Sequence, residues 1–180
     1  MYVEMEQFLY KTSLSEEDFF QQLHRDVTLQ EEFRLISYLS DGGVVVRGIS
    51  PPDNCQTSFF GVVNKNSFRI VEHTHKEFIS PYQPILHGHF ENETIHIVPQ
   101  MHPQAYPLVS MYTCLGALLV FLGILTIQED FFIFLLTTLF GFLLMFFPRF
   151  RTQNHFKIGV HRAISAFENL SLQIQRLQDP

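Results

Sequence analysis

Hydrophobic residues are unevenly placed along the chain, and their spacing changes character from one region to the next. The plainest pattern lies in the second half: Leu108 to Ile127 is twenty residues without a formal charge, and Phe131 to Phe147 is seventeen more. Only Gln128-Glu129-Asp130 separates them. As helices rising about 1.5 Å per residue they would reach roughly 30 Å and 26 Å, enough to cross or nearly cross the hydrocarbon of a bilayer. The pattern predicts a transmembrane helical hairpin over 107–148. The alternative, two helices inside a soluble core, would need more chain than remains to cover both on all sides.

Ahead of this region the apolar residues come in short runs. Residues 8–13, FLYKTS, start like a strand, and residues 13–27 read as a short helix with Phe19, Phe20 and Leu23 on one face. Ser13 and Glu16 have the spacing of a capping box. Strand-like runs follow, from FRLISYL and VVVRGI through SFFGVV and FRIVEHT to ILHGHF and TIHIV, with turn residues such as Asp41-Gly42-Gly43 and Asn64-Lys65-Asn66 between them. Regular turn signals predict an antiparallel sheet. Centring the last turn on Asn92-Glu93 puts Leu86, Gly88, Phe90, Ile95 and Ile97 on one uniformly apolar face, as the core side of a half-buried hairpin should be.

Pro148 marks the expected end of the hairpin. Beyond it, Val160, Ile164, Phe167, Leu170, Ile174 and Leu177 recur at spacings of three and four, which predicts an amphipathic helix over 154–178. Its polar side is too sparsely basic for a lipid-surface helix, so packing on the sheet is preferred over lying on a membrane or forming a coiled coil. The expected fold class is therefore α+β: an antiparallel sheet domain with N- and C-terminal helices, interrupted by the membrane hairpin. The expected divisions are 1–106, 107–148 and 149–180.

Charge adds an orientation. The turn of the hairpin is acidic, whereas Arg149, Arg151, Lys157 and Arg162 follow it closely, which puts both termini on the cytoplasmic side. The N-terminus is acidic and broken by polar residues, so no cleavable signal peptide is expected before the hairpin. A net charge of −6 without a dense Lys/Arg patch argues against nucleic acid as a partner. The expected partner is the lipid bilayer. Gly116, Ala117, Thr137 and Gly141, with Thr138 beside them, offer low-profile positions for helix packing, within the hairpin or toward a protein partner or a second copy. No Asp, Glu, Lys, Arg or His lies inside either apolar segment, which favours an anchor over a pump or transporter. Cys55 and Cys114 have no reason to meet, and the sequons at Asn92 and Asn169 fall on the cytoplasmic side.

The candidate chemistry lies in the histidines, nine in the chain and four of them between Pro84 and Pro103. With the turn at Asn92-Glu93, His89 faces His96, and the period of two puts His87 on the same face. His87, His89 and His96 could hold zinc with a fourth position open to water. The reading preferred from the residues is the solvent side of an ordinary hairpin, with metal binding or a pH-responsive cluster as the alternatives. His73 and His75 form a second same-face pair. No nucleophile elbow, phosphate loop or patterned Cys-His pair appears, so enzymatic activity has no support and zinc is the one cofactor the residues suggest.

The stretch from Phe59 to Val98 carries Phe60-Gly61, then Phe68 and Ile70, then Pro84, Leu86 and Gly88, then Thr94. This order resembles a pattern in small uncharacterised bacterial integral membrane proteins with a β-rich cytosolic domain and a two-helix hairpin. The chain departs from it in HTHKEFISPYQ, which stands where basic or amide residues would be expected. The resemblance implies a two-pass protein of the bacterial inner membrane and brings no catalytic residues. The expected function is a membrane-anchored, non-enzymatic interaction or regulatory module; the alternatives are a metal-binding protein or an accessory subunit of a larger membrane complex.

Overall fold

The computed structural model describes residues 7–30, 34–39, 45–51, 55, 57–73, 83–101, 105–126, 131–170 and 172–177. The turn at 41–43, the loop at 52–54, His75, His102 and the acidic turn at 128–130 lie outside the described residues. The chain divides into two units: Met1–His102 with Ile158–Pro180, and Pro103–Lys157.

The first unit is built on a seven-stranded sheet in the order β2-β5-β6-β7-β8-β1-β9. Its strands are β1 (Phe8–Thr12), β2 (Val27–Leu29), β5 (Phe59–Val63), β6 (Ser67–Glu72), β7 (Pro84–Glu91), β8 (Thr94–Met101) and β9 (Ile174–Arg176). A separate antiparallel pair joins β3 (Arg34–Leu39) to β4 (Val45–Ser50). Helix α1 spans Glu16–Asp26, α2 Ala105–Thr126 and α3 Phe131–Glu168.

The fold is α+β, but the sheet is mixed and not antiparallel throughout, because β2 pairs parallel to β5. The chain leaves α1 directly into β2, with Val27 already extended at the helix C-cap. The Thr28 N–H donates to Thr57 Oγ1 at 3.0 Å, and the two hydroxyls lie 2.7 Å apart. Such a strand has no turn of its own for local pattern to reveal. The helix cap also differs from the expectation: Ser15, not Ser13, caps α1 and accepts from the Asp18 N–H at 3.2 Å. Ser15 is the better cap because its extended backbone lets its oxygen reach the free N–H groups of the first turn.

One face of the sheet carries Phe8, Tyr10, Phe59, Phe68, Ile70, Leu86, Ile95 and Ile97, all buried. Phe19, Phe20 and Leu23 of α1 are buried as well, and Phe19 reaches Phe68 and Phe90 with ring centroids 6.3 and 5.7 Å away. The last turns of α3 add Ala163, Ile164 and Phe167 to the same core. Gly88 pairs with Phe68, whose ring occupies the space a Cβ on Gly88 would need. A side chain there would displace the aromatic centre of the core.

Two further features of α3 depart from the sequence pattern. It runs unbroken through Pro148, which was expected to end it. Proline removes one backbone donor, but the helical bonds before and after that point persist and outweigh the loss. At its other end α3 stops at Glu168, and the helix expected over 154–178 gives way to a turn with Gln173 at φ 49° and then to β9. The apolar spacing of Leu170, Ile174 and Leu177 is that of a helix and not the period of two of a strand, so a tertiary contact overrides the local pattern here. The free edge of β1 decides the outcome: β9 pairs with it antiparallel, and the Leu177 N–H donates to the Leu9 carbonyl at 2.9 Å.

Tyr10, fully buried, donates its hydroxyl to Glu168 Oε1 at 2.8 Å and so ties β1 to the end of α3. Burial first, and then the bond to Glu168, push the phenol well above the ordinary tyrosine range. Because the folded state resists ionisation, this contribution to stability is complete below about pH 10 and declines as pH rises above it, where the unfolded chain ionises first. Tyr10→Phe is expected to cost about 1–2 kcal/mol at pH 7. In urea denaturation of the detergent-solubilised chain followed by circular dichroism, the gap to wild type should narrow above pH 10.

Candidate functional site

The histidine-bearing strands belong to the first unit. Asn92 and Glu93 both adopt left-handed backbone conformations, φ 49° and 61°, which close β7 and β8 into a two-residue hairpin. The turn fixes the register, pairing His89 with His96, His87 with Val98 and Glu91 with Thr94. On the face opposite the aromatic core, the His89 and His96 rings stack with centroids 4.8 Å apart and planes 15° apart.

Glu91 completes this group. Its Oε2 lies 3.8 Å from His89 Nε2, and one ligand atom from each of His89, Glu91 and His96 falls within 4.8 Å of the others. In the sequence Glu91 stands directly before the Asn92-Glu93 turn. Strand β7 in fact continues through Glu91, so the period of two that aligns His87 with His89 carries on to the carboxylate. Gln7 also arrives, with its Nε2 position 2.8 Å from His96 Nδ1. It comes from a distant part of the chain, and no local pattern could have pointed to it.

His87 lies outside the group. It pairs with Arg69 of β6 on its other side and is half-buried. Burial, and then the Arg69 charge, hold its imidazole below the ordinary histidine range. At neutral pH it is an uncharged ring beside a fixed cation, a poor place to add a second one. His73 donates its backbone N–H to the Ser58 carbonyl at 2.8 Å, and its ring meets Phe60 edge to face at 6.3 Å. Cys55 packs against the buried cluster of Phe60, Val71 and Ile85. Arg162, counted among the basic residues after the apolar segments, donates through Nε to Glu72 Oε2 at 2.7 Å.

The second unit contains a different arrangement. Helices α2 and α3 run antiparallel and approach through small residues. A Cβ on Gly116 would lie 2.6 Å from the Gly141 carbonyl oxygen, and one on Gly141 would lie 2.7 Å from the Gly116 oxygen. Further along, a Cβ on Gly123 would meet Thr137 Oγ1 and Thr138 Oγ1, each at 2.6 Å. Thus Gly116, Thr137 and Gly141 meet in one seam, whereas Ala117 is exposed and off it. One residue turns a helix by about 100°, which carries Ala117 away from the face of Gly116. Gly123 was missed, although its place two helical turns beyond Gly116 puts it on the same face.

Away from the seam, large apolar side chains of this unit are exposed: Leu118, Phe121 and Leu125 on α2, and Phe131, Leu139 and Phe147 on α3, are all more than half exposed. The Thr113 and Thr137 hydroxyls donate to carbonyls one turn earlier, at 2.9 Å to Val109 and 2.8 Å to Ile133. Helix α3 is long and apolar enough to cross a membrane, while the apolar stretch described in α2, Val109–Leu125, is shorter. No protein-family model, curated protein or solved structure matches this chain.

Proposed function

We propose that α2 and α3 cross a bilayer together as a hairpin, holding the α+β unit at the cytoplasmic face as a non-enzymatic interaction or regulatory module. The observation that carries this reading is the division of side chains over the apolar lengths of the two helices: glycine and threonine toward one another, and large apolar side chains, chiefly leucine and phenylalanine, on the exposed faces. Exposed rings in such number are unstable in water and suited to acyl chains. With 22 residues, α2 has a length of about 33 Å, matching a hydrocarbon core of about 30 Å.

Because Gly116, Gly123, Thr137 and Gly141 are taken up in the seam of the hairpin itself, the outward faces suit lipid better than close packing in a larger complex. That favours an anchor over an accessory subunit. Arg149, Arg151 and Lys157 beyond the apolar stretch support cytoplasmic termini, since basic residues remain on that side and attract anionic headgroups. The resemblance noted in the sequence suggests a bacterial inner membrane as the setting. The test is fractionation of cells making the full chain without detergent. Retention in the membrane pellet through an alkaline carbonate wash is the expected result; recovery in the aqueous supernatant removes the reading.

A further inference from the structure

We propose that His89, Glu91 and His96 form a binding site for a divalent transition-metal ion, with zinc the best-suited occupant, on the solvent face of the β7–β8 hairpin. The inference concerns the α+β unit alone and does not rest on the membrane reading. Two imidazoles and a carboxylate make a donor set that zinc accepts, leaving a fourth position for water or for a group from another molecule.

The geometry is close to what the ion needs. Bonds of about 2.0–2.1 Å in a tetrahedron put ligand atoms roughly 3.3–3.5 Å apart. His89 Nε2 and Glu91 Oε2 stand at 3.8 Å, and the whole group fits within 4.8 Å. His89 and Glu91 are exposed and His96 half-buried, so the outer pair can close without moving the sheet. The ladder and the tight turn hold the three Cα positions, so little conformational freedom is lost on binding.

Gln7 adds an independent element. A histidine that binds metal through one nitrogen usually donates its other N–H to an acceptor, which fixes the ring. The Gln7 side chain lies against His96 Nδ1 at 2.8 Å, and a carboxamide presents either its nitrogen or its oxygen by a half turn. With the oxygen turned inward, Gln7 accepts the Nδ1–H and leaves the Nε2 lone pair free for the ion. Gln7 is thus a positioning residue, and Glu91 supplies negative charge that favours a cation beside the stacked rings. His87 takes no part, because Arg69 is its neighbour on β6.

The test uses the full chain in detergent with its purification tag removed, titrated with zinc against a chromophoric chelator. One equivalent should bind per chain. His89→Ala, Glu91→Gln and His96→Ala should each weaken binding by at least about tenfold, Gln7→Leu by a smaller factor, and His87→Ala should leave it unchanged. Cobalt(II) should give a visible absorption band in the wild type that His96→Ala abolishes. Circular dichroism melts verify that the variants remain folded. Absence of stoichiometric binding, or binding that survives His89→Ala with His96→Ala or depends instead on His87, overturns the proposal.

Discussion

Phe167→Ala is expected to destabilise the α+β unit by about 3–5 kcal/mol, a large share of what a domain of this size has to lose. Phe167 is fully buried near the end of α3, and its ring meets three others: Tyr10 at 6.1 Å, Phe59 at 6.4 Å and Phe68 at 5.7 Å. Those rings come from β1, β5 and β6, so one side chain joins strands that are far apart in sequence. Alanine would leave a void among rigid aromatic rings that cannot easily collapse into it, which is the condition for the high end of the range. Phe167→Leu keeps most of the volume and should lose much less. The chain has no tryptophan, so urea unfolding is best followed by circular dichroism. A loss below about 1 kcal/mol for Phe167→Ala would mean that the end of α3 does not hold the core together.

Gly141→Leu is the second large effect expected, and it acts on the other unit. Even a methyl on Gly141 would approach the Gly116 carbonyl oxygen at 2.7 Å and the Val120 nitrogen at 3.0 Å, so a leucine must force the two backbones apart. In a bilayer, as proposed, lipid would give no hydrophobic drive to bring them back, since the association of helices there depends on close packing. A loss of about 1–3 kcal/mol follows, seen as earlier thermal aggregation in detergent. Ala117→Leu is the matched control, because Ala117 is exposed beside the seam and should tolerate the larger side chain. Equal damage from the two substitutions would show that the helices do not meet through glycine.

Local signals made much of this structure legible. The Asn92-Glu93 turn fixes the hairpin register, so the facing of His89 and His96 and the apolar face of Leu86, Gly88 and Ile97 could be derived from spacing alone. Phe19, Phe20 and Leu23 likewise marked the buried face of α1. What spacing could not supply was pairing over long separations. Val27–Leu29 and Ile174–Arg176 are strands of three residues that exist because β5 and β1 offer edges to them. Pro148 looked like a boundary because propensity counts the lost hydrogen bond and not the helix on either side. The candidate site divides along the same line: the residues of the hairpin were accessible, with Glu91 only one step of the period further, whereas Gln7 beside His96 and Arg69 beside His87 are brought in by other strands.

The placement of the α2–α3 connection is the most direct test of the central claim. In a chain carrying Cys55→Ser and Cys114→Ser, a cysteine introduced by Glu129→Cys should react with a membrane-impermeant maleimide added to intact spheroplasts. One introduced by Lys157→Cys should react only after the membrane is opened. That pattern is the result of a hairpin whose turn reaches the outer side while its base stays within. Labelling of both positions from outside, or of neither until lysis, would contradict it.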